Sequence, residues 1–263
     1  VKNKSAFWGM MMNFFRFCIV RTYLAIRYFF HWMTRTGSFA PGQARHITPS
    51  PGLSKGPGLP ADLFRHHVKQ YHESSCSVAS VVCVVNVLRE RYGCPGPTIT
   101  QQAILEKVRT AHWKERMEPE GYEGRRGLPL AVLSAVVKDS LVAYGIPFKK
   151  VEMIQGSLNQ SRARVRQQIL GHLKKFQFFD SCLIIAHFDQ GAFIKELNIP
   201  HISPVGGFDP STGFVTILDV DPDQKFSYRI PFNTFYKGIA TPYAGVFRPF
   251  GYDRGGVVVI HVN

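Results

Sequence analysis

His201-Ile202-Ser203-Pro204-Val205-Gly206-Gly207-Phe208, Asp209-Pro210-Ser211-Thr212-Gly213 and Phe214-Val215-Thr216-Ile217-Leu218-Asp219 succeed one another without a break. Two apolar runs flank a loop of Asp, Pro, Ser and Gly, a pattern that predicts an antiparallel hairpin. With Phe208 pairing near Phe214, Asp219 falls within a residue or two of the partner of His201. Cross-strand neighbours lie roughly 4.5–8 Å apart, so the hairpin brings an imidazole and a carboxylate together. Such a pair is a base and its orienter; what it lacks is a nucleophile.

The candidate nucleophile is Cys76, in Gln70-Tyr71-His72-Glu73-Ser74-Ser75-Cys76-Ser77-Val78-Ala79-Ser80. Ser74 and Ser75 are good N-cap residues, and Val78 to Leu88 is apolar nearly all round, as expected of a buried central helix. Its valines would also suit a strand, but the length through Arg91 and the cap favour helix, which Tyr92-Gly93-Cys94-Pro95-Gly96-Pro97 ends. A cysteine in the first helical turn meets unpaired N–H groups and the positive end of the dipole, which favour a thiolate. Gln70, six residues upstream, supplies an amide that can hold an oxyanion beside the Cys76 N–H. Taken singly, each residue has an ordinary structural reading: a core cysteine, a hydrogen-bonded histidine, a turn aspartate. Their combination in the order Gln70, Cys76, His201, Asp219 favours the catalytic one.

That order and spacing resemble the papain-like cysteine peptidase clan, in which a glutamine precedes the nucleophile by six residues. Within the clan the downstream half resembles the phytochelatin synthases, whose histidine segment reads like Gly-His-Phe-Ser-Pro-Ile-Gly-Gly-Tyr and whose aspartate stands in Leu-Asp-Val. The matching residues are His201, Ser203-Pro204, Gly206-Gly207 and Leu218-Asp219-Val220. Ile185 to Phe193 resembles the strand and loop before that histidine, and Cys76-Ser77-Val78-Ala79-Ser80, with Asn86, resembles the family's Cys-Gly-x-Ala-Ser helix. The resemblance implies acyl transfer through a thioester on glutathione or a related γ-glutamyl thiol peptide. Glycine leaves, and water or a second thiol peptide accepts the γ-glutamylcysteinyl group. It implies no cofactor for the chemistry, with divalent heavy metal acting as a thiolate complex of the substrate.

The departures bear on substrate. Ser77 stands where the family has Gly, and Asp221-Pro222-Asp223-Gln224-Lys225-Phe226 stands where a basic stretch like Arg-x-Lys-Tyr-Pro grips the γ-glutamyl group. The cysteine-rich second domain of plant members is absent, so metal sensing by such a domain is not expected. The upstream half, from Val68-Lys69-Gln70 to Tyr92-Gly93, also resembles the double-glycine leader peptidases, an alternative with the same Gln, Cys, His and Asp order.

At 263 residues and 45% hydrophobic content, the chain has material for one well-buried domain and a remainder. The remainder is the N-terminus, where eight basic residues precede the first acidic one, Asp62. Three parts are expected: a basic amphipathic membrane-associating segment at 1–35, a Pro/Gly-rich linker at 36–60 and the papain-like catalytic domain at 61–263. In residues 6–34, Gly9, Asn13, Arg16, Tyr23, Arg27, His31 and Thr34 form one helical stripe, with Val20 filling its gap, and large apolar residues dominate the rest. Ser5 to Phe15, the longest run there without charge, is shorter than the roughly 18–20 residues of a span. An interfacial helix with arginines for anionic headgroups fits, whether it lies on a membrane or spans it with hidden arginines. The expected location is a membrane, taken as a bacterial inner membrane, in a reducing compartment. Nucleic acid is not expected: no helix-turn-helix, zinc-finger spacing or RNA-binding aromatic motif occurs, and the basic excess adjoins a hydrophobic segment.

Five irregularly spaced cysteines, Cys18, Cys76, Cys83, Cys94 and Cys182, argue against a disulfide framework. Cys83 reads as core. His66, His67 and His72 lack a spaced set of further ligands and read as surface histidines, with His72 a minor rival for the base; no metal-binding residue is expected. Helices are expected at Ile99–Val108, Leu130–Tyr144 and Arg162–Phe176, with 114–126 a loop. Strands are expected near Ser181–His187, Ile202–Phe208, Phe214–Val220, Ser227–Ile230 and Gly256–His261. Helices first and an antiparallel sheet after is an α+β order, matching the papain-like fold with its nucleophile helix packed on the sheet.

Overall fold

The computed structural model describes residues 2–34, 44–46, 57–194 and 199–263. The helices are α1 (Lys2–Thr34), α2 (Leu59–Arg65), α3 (Cys76–Arg91), α4 (Gln101–Lys107), α5 (Trp113–Met117), α6 (Leu130–Ala143), α7 (Arg162–Phe179) and α8 (Phe232–Ala240). The strands are β1 (Arg45–His46), β2 (Lys150–Gln155), β3 (Cys182–Asp189), β4 (Pro200–Asp209), β5 (Phe214–Ile217), β6 (Tyr228–Pro231) and β7 (Gly256–His261). They pair antiparallel throughout, in the order β1-β6-β5-β4-β3-β7-β2. Most of the expected linker lies outside the described residues, but within it Arg45–His46 pairs with β6 and so adds an edge to the sheet.

α3 is the axis of the fold. Every residue from Cys76 to Leu88 is buried, which lets a valine-rich segment stay helical: packing on all sides outweighs the modest propensity cost. Asn86 is buried mid-helix and spends both halves of its amide on Ile99, accepting from its N–H at 2.8 Å and donating to its carbonyl at 2.9 Å. α3 and α7 pack against β4, α6 against β2 and β7, and α8 against β3. This is the α+β arrangement expected, a nucleophile helix on an antiparallel sheet.

Local details differ from the sequence reading. Ser75 is the N-cap of α3, yet its hydroxyl donates to the His72 carbonyl at 2.9 Å and accepts from the His72 N–H at 3.1 Å, closing the preceding turn instead of capping the helix. Thr100 does cap α4, accepting from Ala103 N–H at 3.1 Å. The expected loop at 114–126 begins with α5, held by a buried Trp113 whose indole N–H donates to Ser77 Oγ at 3.0 Å. Ser77 therefore has a packing role at the position where a glycine was expected. α2, β2 and α8 were not anticipated. In α8 the buried Phe232, Phe235, Tyr236 and Ile239 recur at helical spacing.

The His201–Asp219 hairpin forms with a kink. Asp209 pairs with Phe214 and Gly207 with Thr216, but Val205 pairs with Ile217, so one extra residue, Gly206, is accommodated as a bulge. β5 ends at Ile217, two residues short of Asp219, and the Leu218 N–H still donates to the Pro204 carbonyl at 3.0 Å. Gly206 has no alternative at this point: a Cβ there would lie 2.6 Å from Leu218 Cγ. Gly206→Ala must push Leu218 and its neighbour Asp219 aside. We expect a loss of about 1–3 kcal/mol, read as a lower denaturation midpoint, with activity falling further than stability alone explains.

Candidate active site

The nucleophile candidate is placed by the next turn of its own helix. Ser80 lies one turn after Cys76 on the same side of α3, and its hydroxyl donates to the buried Ile202 carbonyl at 3.1 Å. Ile202 adjoins His201, so this bond sets the height of the helix against the histidine strand. Cys76 is the first residue of α3, where N–H groups lack intrahelical partners. Its thiol lies close enough to His201 to help raise the pKa of the imidazole. One edge of the ring is committed: His201 Nε2–H donates to Asp219 Oδ1 at 2.8 Å. Phe188 stands edge-on to the imidazole at 5.4 Å and fixes its tilt. Three of the sequence-derived residues, Cys76, His201 and Asp219, thus form one continuous chain of contacts.

Asp219 has no exposed surface. Its Oδ1 also accepts the Asp221 N–H at 2.9 Å, and its Oδ2 accepts the Tyr228 hydroxyl at 2.7 Å. The backbone carbonyl of Asp219 accepts Lys69 Nζ at 2.6 Å and lies 3.0 Å from His67 Nε2. Ser203, two residues after His201, accepts the Val220 N–H at 3.3 Å and so joins the two arms of the hairpin beyond the bulge. Tyr228, Lys69 and His67 were not read from the sequence as parts of this site.

Gln70 stands at the same junction. Its N–H donates to the Val220 carbonyl at 2.8 Å, one residue past Asp219. Its side-chain Oε1, the acceptor end of the amide, is buried with no hydrogen-bond partner among the described residues. The neighbouring Lys69 carbonyl is held by the Gln101 amide at 2.8 Å. The donor that a developing oxyanion would need is the Nε2–H of the Gln70 amide.

Of the three histidines near the domain entrance, none is a plain surface residue. His67 is largely enclosed beneath Asp219; burial first, then the Lys69 charge, lowers its pKa to about 4. His66 pairs with Glu90, and His72 Nδ1 accepts the Ser74 N–H at 3.2 Å, which turns that nitrogen to the chain and not to a substrate. Behind Cys76, the fully buried His187 bonds the Tyr243 hydroxyl at 2.8 Å and the Leu128 carbonyl at 3.1 Å, and burial lowers its pKa to about 4. Arg126 borders the nucleophile loop, with its guanidinium on the Ser74 hydroxyl and 3.4 Å from Glu73.

The electrostatics favour a charged pair. Burial alone disfavours an imidazolium, but the Asp219 charge, the Asp219 hydrogen bond and the Cys76 contact outweigh it and raise the His201 pKa to about 10. For Asp219, burial favours the protonated acid, while His201, Tyr228 and the Asp221 N–H hold the carboxylate below its usual range. A histidine raised by folding contributes stability that is whole below its unfolded value, 6.5, and vanishes as pH rises through the folded one. A lowered aspartate contributes above its unfolded value, 3.8, and loses that contribution as pH falls through the folded one. The pair therefore stabilises the fold across the whole neutral range. Histidine ring NMR should show His201 protonated above pH ~8, and Asp219→Asn should bring its titration to or below the ordinary imidazole value. A wild-type His201 that titrates near 6.5 would contradict the assignment.

Residues 60–244 match the sequence model of a family described as phytochelatin synthase. No curated protein matches the chain. Among solved structures, xylellain, a cysteine protease from Xylella fastidiosa, is similar at 10% identity and a TM-score of 0.37, over 87% of this chain and 96% of that one. That likeness is too loose to bear on either fold or chemistry.

Proposed function

We propose a function from one premise: the chain belongs to the phytochelatin synthase family. At the family level this is a thiol-dependent enzyme of cysteine-peptidase type. The finer reading is that it acts on glutathione or a related γ-glutamyl thiol peptide, releasing glycine. The observation that carries it is the unbroken contact chain from Cys76 through His201 to Asp219.

The Cys76 thiolate attacks the carbonyl of the cysteinyl-glycine bond and forms a C–S bond. The resulting oxyanion is held by the Gln70 amide and the Cys76 N–H. His201, kept protonated by Asp219, gives its proton to the glycine nitrogen as the C–N bond breaks, leaving a γ-glutamylcysteinyl thioester. His201 is then neutral and takes a proton from the incoming acceptor. Water gives γ-glutamylcysteine; the amine of a second thiol peptide gives a longer peptide. Divalent heavy metal enters in this reading as a thiolate complex of the substrate, and the acyl-transfer steps need no cofactor.

Without the family's arginine after the aspartate, a different cation must meet the substrate carboxylates. Arg126, beside Ser74 in the nucleophile loop, is our choice; its Nε is buried without a partner among the described residues. Mass spectrometry of glutathione incubations should show glycine release that Cys76→Ser abolishes, Gln70→Ala lowers about 10²–10³-fold in kcat, and Arg126→Ala weakens mainly through KM. Cleavage of a Gly-Gly leader peptide with glutathione left intact would overturn this substrate in favour of the leader-peptidase alternative.

The same reading puts the enzyme at a membrane surface through α1. Part of the stripe faces the protein: Val20 and Tyr23, with the adjoining Leu24, pack on the turn at Gly245–Phe250, Tyr23 edge-on to Phe247 at 6.2 Å. The side chains of Asn13, Arg27, His31 and Thr34 lie outside the described residues. Trp8, Phe14, Phe15, Phe29, Phe30 and Met33 are exposed, an apolar face suited to the headgroup boundary. Among the described residues, no helix is long and apolar enough to cross a membrane. The chain should float with anionic-lipid vesicles, and Phe14→Ser with Phe15→Ser should leave it at the bottom of the gradient; a wild-type chain that fails to float sinks the idea.

A further inference from the structure

At the opposite end of the sheet from His201, three side chains from three elements converge. Glu152 of β2 and His261 of β7 are diagonal neighbours, since Lys150 pairs with His261 and Glu152 with Val259. His172 of α7 comes down on them. His261 Nε2 lies 2.8 Å from Glu152 Oε2, and His172 Nε2 lies 3.8 Å from the same oxygen. One donor atom from each falls within 4.8 Å of the others. Three ligands at about 2.0–2.2 Å from one ion stand some 3–3.5 Å apart, so small side-chain shifts suffice.

Two further observations point to a ligand. His172 is only 7% exposed, yet its Nδ1 has no hydrogen-bond partner among the described residues. No hydrogen bond therefore fixes the ring from its Nδ1 side, and the Nε2 edge that faces Glu152 is left for an ion. Glu152 is already oriented from outside the cluster, its Oε1 accepting the Gln168 amide at 3.1 Å, which leaves Oε2 facing the two imidazoles. Such outer bonds accompany metal-binding carboxylates. The Lys150 ammonium reaches Oε2 at 2.9 Å, but this side chain is 59% exposed and free to swing away. Cys182 is not a donor here: its thiol is turned to the His172 carbonyl at 3.6 Å.

We propose that Glu152, His172 and His261 form a binding site for a divalent transition-metal ion of the zinc type, separate from the catalytic cysteine. Two imidazoles and a carboxylate suit that class over calcium or magnesium, and they leave a fourth position for water. The ion would clamp α7 onto the β2–β7 edge. Cys182 pairs with His261 and Phe188 with His201, six residues apart on β3, which separates the two sites by about 20 Å at ~3.3 Å per residue. The inference stands whether or not glutathione is the substrate.

The test uses the full chain stripped with EDTA and titrated with Zn²⁺, and separately with Co²⁺ followed by absorption. Binding of one Zn²⁺ per chain is expected, weakened about tenfold or more by Glu152→Gln and by His172→Asn and tightened by Lys150→Ala. The bound Co²⁺ should give d–d bands without a thiolate-to-metal charge-transfer band. Melting curves without metal identify any variant that fails to fold. If His172→Asn does so, the isosteric Glu152→Gln and the exposed Lys150→Ala still decide the matter. The proposal is overturned by no binding, by affinity unchanged in Glu152→Gln, or by a charge-transfer band that puts the metal on cysteine.

Discussion

An ionised carboxylate with no exposed surface costs several kcal/mol unless it is paired and hydrogen-bonded, and Asp219 is such a group. The region around it is arranged to meet that demand. Its two oxygens take His201, the Asp221 N–H and Tyr228, while its carbonyl takes Lys69. To reach them the chain must leave the sheet after Ile217, which the Gly206 bulge permits, and Ser203 then catches Val220. Val220 in turn receives the Gln70 N–H. The proposed oxyanion donor and the proposed orienter are therefore built by one set of contacts, and a change that disturbs Asp219 disturbs both.

The segment after Asp219 is also where the substrate question sits. In place of a basic stretch, 219–224 presents carbonyls inward: those of Asp219, Asp221 and Gln224 all accept from Lys69 Nζ, at 2.6, 3.1 and 2.6 Å. Burial accordingly lowers the Lys69 pKa against the opposing pull of Asp219 and Asp221. Asp221 is itself tied to the Gln190 amide at 2.7 Å. This stretch is a structural clasp, with the Lys69 ammonium turned inward onto its carbonyls. On the γ-glutamyl reading proposed above, the counter-charge for a substrate carboxylate must come from outside this stretch, and Arg126 beside Ser74 is the proposed source.

Much of this was legible because it is local or periodic. The hairpin declares itself by its turn residues, and α3 by an apolar run with a firm stop. The strand at Gly256–His261 has the bounds its composition suggested. What stayed hidden depends on distant partners. Lys69 and His67 meet Asp219 across about 150 residues, and nothing in Val68-Lys69-Gln70 announces a carbonyl acceptor. β2 reads Lys-Val-Glu-Met-Ile-Gln, an edge strand with charged positions, and its signal is too weak to see without β7 beside it. α5 exists because Trp113 finds Ser77, a tertiary fact. Glu152, His172 and His261 have no spacing that a motif could describe. α8 is the exception, since its aromatic residues do recur at helical intervals; their strand propensity masks the period.

One stripe of α3 ties these parts together. Cys76, Ser80 and Cys83 lie at i, i+4 and i+7, on one side of the helix. Ser80 fixes the histidine strand, and Cys83 Sγ accepts the Val68 N–H at 3.3 Å, two residues before Gln70. Burial raises the Cys83 thiol to about 12, and does the same to Cys182, so neither competes as a nucleophile at neutral pH. The second cysteine of the stripe is thus a tether for the Gln70 segment, expressed through its sulfur as an acceptor. Each turn of the helix therefore sets one coordinate of the site: the attacking sulfur, the height of the imidazole, and the approach of the amide. Three polar groups along one stripe of a buried helix convert a packing axis into a ruler for the chemistry.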